Sequence, residues 1–171
     1  LKNNMLVKTK NFNRILEVGD PIKSAKTYSD SDADELIILN IDRKNRNYKK
    51  LLEIIPKIRE QCFLPISYGG GISNIDEVEK LISNGADKVI VNTHIFKDYN
   101  FIKKIQNNFG SQSIIISIDV KKEGESFSIY SNCGQIKEEI SLKDHINKCL
   151  NCGAGEIFIN SIDKDGLMKG C

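Results

Sequence analysis

The chain has 171 residues, 40% of them hydrophobic, enough to bury one sizeable core. Its 25 Lys and Arg stand against 23 Asp and Glu, a net charge of +2, and that balance argues against a nucleic-acid surface. No apolar run is long enough to cross a bilayer and no signal-peptide pattern opens the chain, so a soluble cytoplasmic protein is expected.

The first strand-like run is Met5-Leu6-Val7, and residues 8–18 read as polar loop. Gly19-Asp20-Pro21 then opens a helix, with Asp20 as N-cap and Pro21 at the first helical position. Residues 35–42 form a continuous apolar run of the kind found in parallel strands buried on both faces. Residues 48–61 show helical spacing in Leu51, Leu52, Ile55 and Ile58, although Pro56 is awkward in a helix interior.

A third strand-like run ends in Gly69-Gly70-Gly71, after which a helix spans 74–83. Ser73 is its expected N-cap, with Asp76 as the acidic half of a capping box and Asn84-Gly85 as its C-cap. Glycines between a strand end and a helix start let a ligand approach bare backbone, and helix amides favour an anion such as phosphate. A tight βα turn without ligand uses the same residues, and both readings stand at this point.

Residues 88–92 are the next strand, 101–109 a helix, and 113–119 a strand running into a hairpin turn at 122–125 with 127–130 returning. A helix over 142–151 and a strand over 156–161 follow. The five cysteines, Cys62, Cys133, Cys149, Cys152 and Cys171, fit reduced thiols better than a disulfide framework. Cys149 and Cys152 have CxxC spacing, with His145 one turn before. The helix reading makes Ile146, Cys149 and Leu150 its buried side, so no metal or redox site is expected there.

Strict alternation of strand and helix with short connections means a parallel sheet, either doubly wound or a (β/α)8 barrel. An internal repeat bears on the choice: Ala33-Asp34-Glu35-Leu36-Ile37-Ile38-Leu39-Asn40-Ile41-Asp42 resembles Ala154-Gly155-Glu156-Ile157-Phe158-Ile159-Asn160-Ser161-Ile162-Asp163 at an offset of 121. Four βα units span about that length, as in a duplicated half-barrel. Glu35, Lys88 and Glu156 also begin barrel strands two, four and six. Alternate strands fill one interior layer, so the three would meet as a charged ring at the N-terminal mouth. The barrel is therefore expected. A full barrel takes about 250 residues, so 1–171 reads as a single partial barrel domain, from the end of strand one through the loop after strand six.

Barrel active sites lie at the C-terminal ends of the strands. Those ends carry Lys8; Asn40 and Asp42; Gly69-Gly70-Gly71; Asn92-Thr93; Asp119; and Ser161 with Asp163-Lys164-Asp165-Gly166. The set offers an anion cradle, carboxylates for proton transfer and small hydrogen-bond donors. It holds no Ser-His-Asp set and no histidine cluster, so neither nucleophilic nor metal chemistry is expected. Asp42 and Asp163 suit caps of the loops after their strands. Asp119 ends an apolar buried strand, where an unpaired carboxylate is costly, and a functional role is expected for it.

Phe109-Gly110-Ser111-Gln112 leading into Ile118-Asp119, with Tyr68-Gly69-Gly70-Gly71-Ile72, Val91-Asn92-Thr93 and Ser161-Ile162-Asp163-Lys164-Asp165-Gly166, resembles the cyclase subunit of imidazole glycerol phosphate synthase. The resemblance covers essentially the whole chain. It implies a lyase of histidine biosynthesis, without cofactor, that takes ammonia from a glutaminase partner at the N-terminal face. The ammonia would react with a bisphosphorylated ribulosyl-formimino nucleotide, giving imidazole glycerol phosphate and an aminoimidazole carboxamide ribotide. By the same resemblance Asp119 is one of two catalytic aspartates, the other falling just before Leu1. Lys8, Gly70, Gly71, Asn92, Thr93, Asp165 and Gly166 bind substrate and its phosphates, and Glu35, Lys88 and Glu156 belong to an ammonia gate. Asn40, Thr9 and Asn3-Asn4 depart from the family pattern. The opening Leu1-Lys2-Asn3 and Leu6-Val7-Lys8-Thr9 resemble a paralogous branch whose barrel conducts ammonia, beside a glutaminase and a sugar amidotransferase, for amidation of surface-polysaccharide sugars.

Overall fold

The computed structural model describes residues 1–42 and 48–168, with side chains in the second helix described from residue 52 onward. Leu51 in the expected apolar stripe and Cys171 therefore lie outside the described residues. Contacts group the chain into two compact units, Leu1–Val7 with Glu17–Ile90 and Lys8–Leu16 with Val91–Cys171.

The chain opens on a tight turn: Lys2 and Met5 exchange backbone hydrogen bonds at 3.0 and 2.9 Å around Asn3 and Asn4, both at positive φ. Residues 8–18, expected as loop, are instead most of a hairpin formed by β1 (Leu6–Lys10) and β2 (Arg14–Gly19). No apolar alternation announces these strands because neither has a buried face; every residue of β2 before Gly19 is exposed.

In the first unit, α1 (Pro21–Ser29) starts as expected, the Asp20 carboxylate accepting from the Ile22 and Lys23 amides. The apolar run at 35–42 yields a shorter strand, β3 (Leu36–Leu39), and Ile37 is 39% exposed, so it is not buried on both faces. Helix α2 (Tyr48–Gln61) runs through Pro56 and buries Ile55 and Ile58. β4 (Ile66–Gly69) is wholly buried and pairs in parallel with β3 and with β5 (Lys88–Val91).

Helix α3 (Ile75–Ser83) is capped one residue later than expected. Asn74 accepts from the Glu77 amide at 2.9 Å, and the Glu77 carboxylate accepts from the Ser73 amide at 2.8 Å. The cap is thus Asn74 rather than Ser73, and its acidic partner is Glu77 rather than Asp76. The C-terminal stop at Asn84 and Gly85 is as expected.

In the second unit, α4 (Asn100–Phe109) buries Phe101, Ile102 and Ile105. β6 (Ile114–Glu123) pairs antiparallel with β7 (Ser126–Ser131), which pairs with β8 (Ile136–Lys137). Helix α5 (Leu142–Asn151) leads to β9 (Glu156–Ser161), which lies parallel to β6. The buried side of α5 is His145 and Cys149; Ile146 is half-buried and Leu150, expected inside, is 49% exposed. The His145 ring stacks on Phe96 at 4.5 Å, and its Nδ1 lies 2.6 Å from the Tyr99 hydroxyl. Burial lowers its pKa to about 4 and raises that of Cys149 to about 12. These groups are a neutral polar core, and among the described residues nothing gathers a metal-binding cluster.

Parallel strands alternating with helices make this a part of a (β/α)8 barrel, with β3, β4, β5, β6 and β9 as barrel strands two to six.

Candidate functional site

Asp119 is the centre of the second unit's polar face. It lies near the carboxyl end of β6's parallel pairing, beside Asn160 of β9 in register, and is 7% exposed. The Asn92 side-chain amide donates to its Oδ2 at 3.0 Å, and Asn160 makes a second side-chain hydrogen bond to it. Burial raises the carboxyl pKa to about 6, against the two amides, which lower it; nearby Asp165 raises it further. Burial disfavours the charged form, while donated hydrogen bonds favour it. Here desolvation wins, leaving an acid that exchanges its proton near neutral pH.

Asn160 escaped sequence reasoning. It is one polar residue among several at the end of β9, and what distinguishes it is its register against Asp119. Asn92, which the resemblance assigns to a phosphate site, donates to this carboxylate.

Asp165 ties down the tip of the β1–β2 hairpin. Its carboxylate accepts from the Phe12 amide at 3.0 Å and its carbonyl from the Asn11 amide at 3.1 Å. Asn11 and Phe12 both have positive φ, near 51° and 58°, a conformation an aromatic residue rarely adopts. Gly166 makes the approach possible, since a Cβ there would come within 2.0 Å of the Thr9 carbonyl oxygen. Lys8 is exposed on β1. Asp163 accepts from the Lys122 amide of β6 at 2.7 Å, a bond to a different strand and not a cap of the loop after its own.

The Thr93 hydroxyl accepts from the Asn132 amide at 3.0 Å. Asn132 opens the β7–β8 turn, in which Asn132, Cys133 and Gly134 all have positive φ.

The first unit holds the glycine loop. At φ of 121°, Gly70 passes so close to β3 that a Cβ would meet the Asn40 carbonyl oxygen at 2.2 Å. Glycine is therefore required there by packing, whatever else the loop does. Gly71, at φ of 75°, is exposed. The α3 amide at Glu77 is satisfied by Asn74, so the helix start offers an anion fewer donors than the sequence implied. Asn40 accepts from the Asp42 amide at 2.9 Å, and the Asp42 carboxylate from the Asn3 amide at 3.4 Å.

At the opposite ends of these strands, Glu35 and Lys88 form a half-buried ion pair at 3.2 Å, and the Ser67 hydroxyl donates to the same Glu35 carboxylate. Two of the three charged residues expected at the N-terminal mouth thus meet within one unit. Glu156 begins β9 in the other.

Polar and titratable side chains gathered at the carboxyl ends of parallel strands are the arrangement of barrel proteins with an active face. The chain belongs to the family described as "Histidine biosynthesis protein", which it matches over residues 1–171. It is 40% identical over 171 residues to a protein of Pseudomonas aeruginosa named "Putative imidazole glycerol phosphate synthase subunit hisF2", covering 99% of this chain and 68% of that protein. It is 34% identical over 170 residues to "Imidazole glycerol phosphate synthase subunit HisF" of Chloroherpeton thalassium, covering 99% of this chain and again 68% of the relative.

Proposed function

We propose that this chain forms the cyclase part of an imidazole glycerol phosphate synthase acting in histidine biosynthesis. The observation that carries the reading is Asp119, a buried carboxyl at a strand end whose pKa is raised to about 6. A group poised there can both give and accept a proton at physiological pH. The names of the two relatives support the same assignment.

In this reading ammonia from a glutaminase partner enters at the strand beginnings, with Glu35 and Lys88 of the first unit, and separately Glu156 of the second, as gate residues. It reacts at the opposite face with the phosphoribulosyl-formimino nucleotide, closing the imidazole ring and releasing the carboxamide ribotide. Asp119 is the acid and base within this chain, and Asn92 and Asn160 fix the direction of its carboxyl. Gly70 and Gly71 in the first unit and Thr93 in the second are each assigned to phosphate binding, while Lys8, Asp165 and Gly166 serve the other end of the substrate. Asp165 does so through the hairpin it anchors, because its carboxylate is already engaged by the Phe12 amide.

Complementation tests the reading. The full-length protein should restore growth without histidine to a strain lacking the cyclase, provided a glutaminase partner is present. Failure with well-expressed protein would favour the ammonia-conducting role that the N-terminal departures, Asn3-Asn4 and Thr9, suggest.

A further inference from the structure

The β7–β8 turn makes no contribution to the proposed chemistry, yet its conformation is unusual. Asn132, Cys133 and Gly134 follow one another at φ of 50°, 55° and 77°. Two of them carry side chains, and consecutive left-handed residues of that kind persist only where the surroundings hold them.

Three contacts do so. The Gln135 amide closes the turn on the Ser131 carbonyl at 3.1 Å, and the Asn132 side-chain amide donates to Gln135 Oε1 at 3.0 Å. Gly134 sits under Ile162 and Phe12, where a Cβ would lie 3.2 and 3.3 Å from their side chains. Held this way, the turn directs the Asn132 amide to the Thr93 hydroxyl at 3.0 Å.

A threonine hydroxyl has one proton and two lone pairs, and its rotor turns to suit its partners. An amide donating to one lone pair repels the hydroxyl proton from that side. The oxygen then accepts on the turn side and donates elsewhere, the polarity that a phosphate oxygen needs.

We propose that the β7–β8 turn is a positioning element, whose Asn132 amide fixes the Thr93 hydroxyl as a donor to a phosphate group. This rests on the assignment of Thr93 to a phosphate site, and the test separates the two. The probe is inorganic phosphate, titrated into the full-length protein and followed by calorimetry or by the Thr93 amide resonance.

Thr93→Val should weaken phosphate binding about tenfold, as loss of one hydrogen bond to a charged group does. Unchanged binding would remove Thr93 from the site and overturn the parent reading. Asn132→Val, a β-branched residue ill-suited to positive φ, should weaken binding similarly. Asn132→Gly, which keeps the amide and suits the turn, should retain wild-type affinity. Gly134→Ala gives a second disturbance of the turn. In a double-mutant cycle, adding Thr93→Val to Asn132→Val should cost little more than either alone. If Thr93→Val weakens binding while Asn132→Val and Gly134→Ala do not, or if the double variant is additive, the positioning role is wrong.

Discussion

A carboxyl group buried at the end of an apolar strand carries its environment into its titration. Asp119 passes from an ordinary 3.8 to about 6 because burial outweighs the two amides that hold it. That difference corresponds to about 3 kcal/mol between the two protonation states. The folded pKa lies above the unfolded one, so the unfolded chain releases this proton first as pH rises. Relative to Asp119→Asn, the wild type should thus lose up to about 3 kcal/mol of stability between about pH 4 and 6, with little change above that. Urea midpoints measured across this range check it, and parallel curves for the two proteins would contradict it. Asp119 itself was legible in the sequence, since a lone carboxylate ending Ile114 to Ile118 has no packing reason to be there. Its partners were less so: Asn92 looked like a phosphate ligand, and Asn160 stands on a different strand whose register the sequence does not print.

Elements with a buried side were readable because their apolar residues repeat at a fixed period. α4, which buries Phe101, Ile102 and Ile105, lies within one residue of its expected bounds for that reason. The β1–β2 hairpin has no such side, and beyond Val7 it read as loop. At the start of α3, Ser73 and Asn74 are both good caps, and only backbone geometry separates them. Asn74→Ala should therefore cost about 1 kcal/mol, and Ser73→Ala clearly less, in chemical denaturation; the reverse order would restore the sequence-based cap. On α5, His145 is stacked on Phe96 and desolvated, with its pKa lowered to about 4. A lowered pKa in the folded state means that acid favours the unfolded chain, so stability falls as pH drops from 6.5 towards about 4. His145→Phe keeps an aromatic ring against Phe96 and removes the titration. Its stability should be flatter over that window than the wild type's, and an equal slope in both would rule out a buried neutral histidine.

Across the whole molecule, the 121-residue offset between the strands at 33–42 and 154–163 was the strongest sign of a barrel, because it needs no knowledge of any single site. It pairs Asn40 with Ser161 and Leu39 with Asn160, so the residue that holds the carboxyl has an apolar counterpart, while Asn40 closes a local turn on Asp42. The same repeat placed Glu35 and Glu156 at strand beginnings, where Glu35 pairs with Lys88. The central claim is that this face closes an imidazole ring with Asp119 moving the proton. Ammonium-dependent formation of imidazole glycerol phosphate by the full-length protein, compared between wild type and Asp119→Asn, measures it most directly. The account predicts that kcat falls by about 10²- to 10⁴-fold with a largely unchanged affinity for inorganic phosphate. Turnover by Asp119→Asn at the wild-type rate would contradict it.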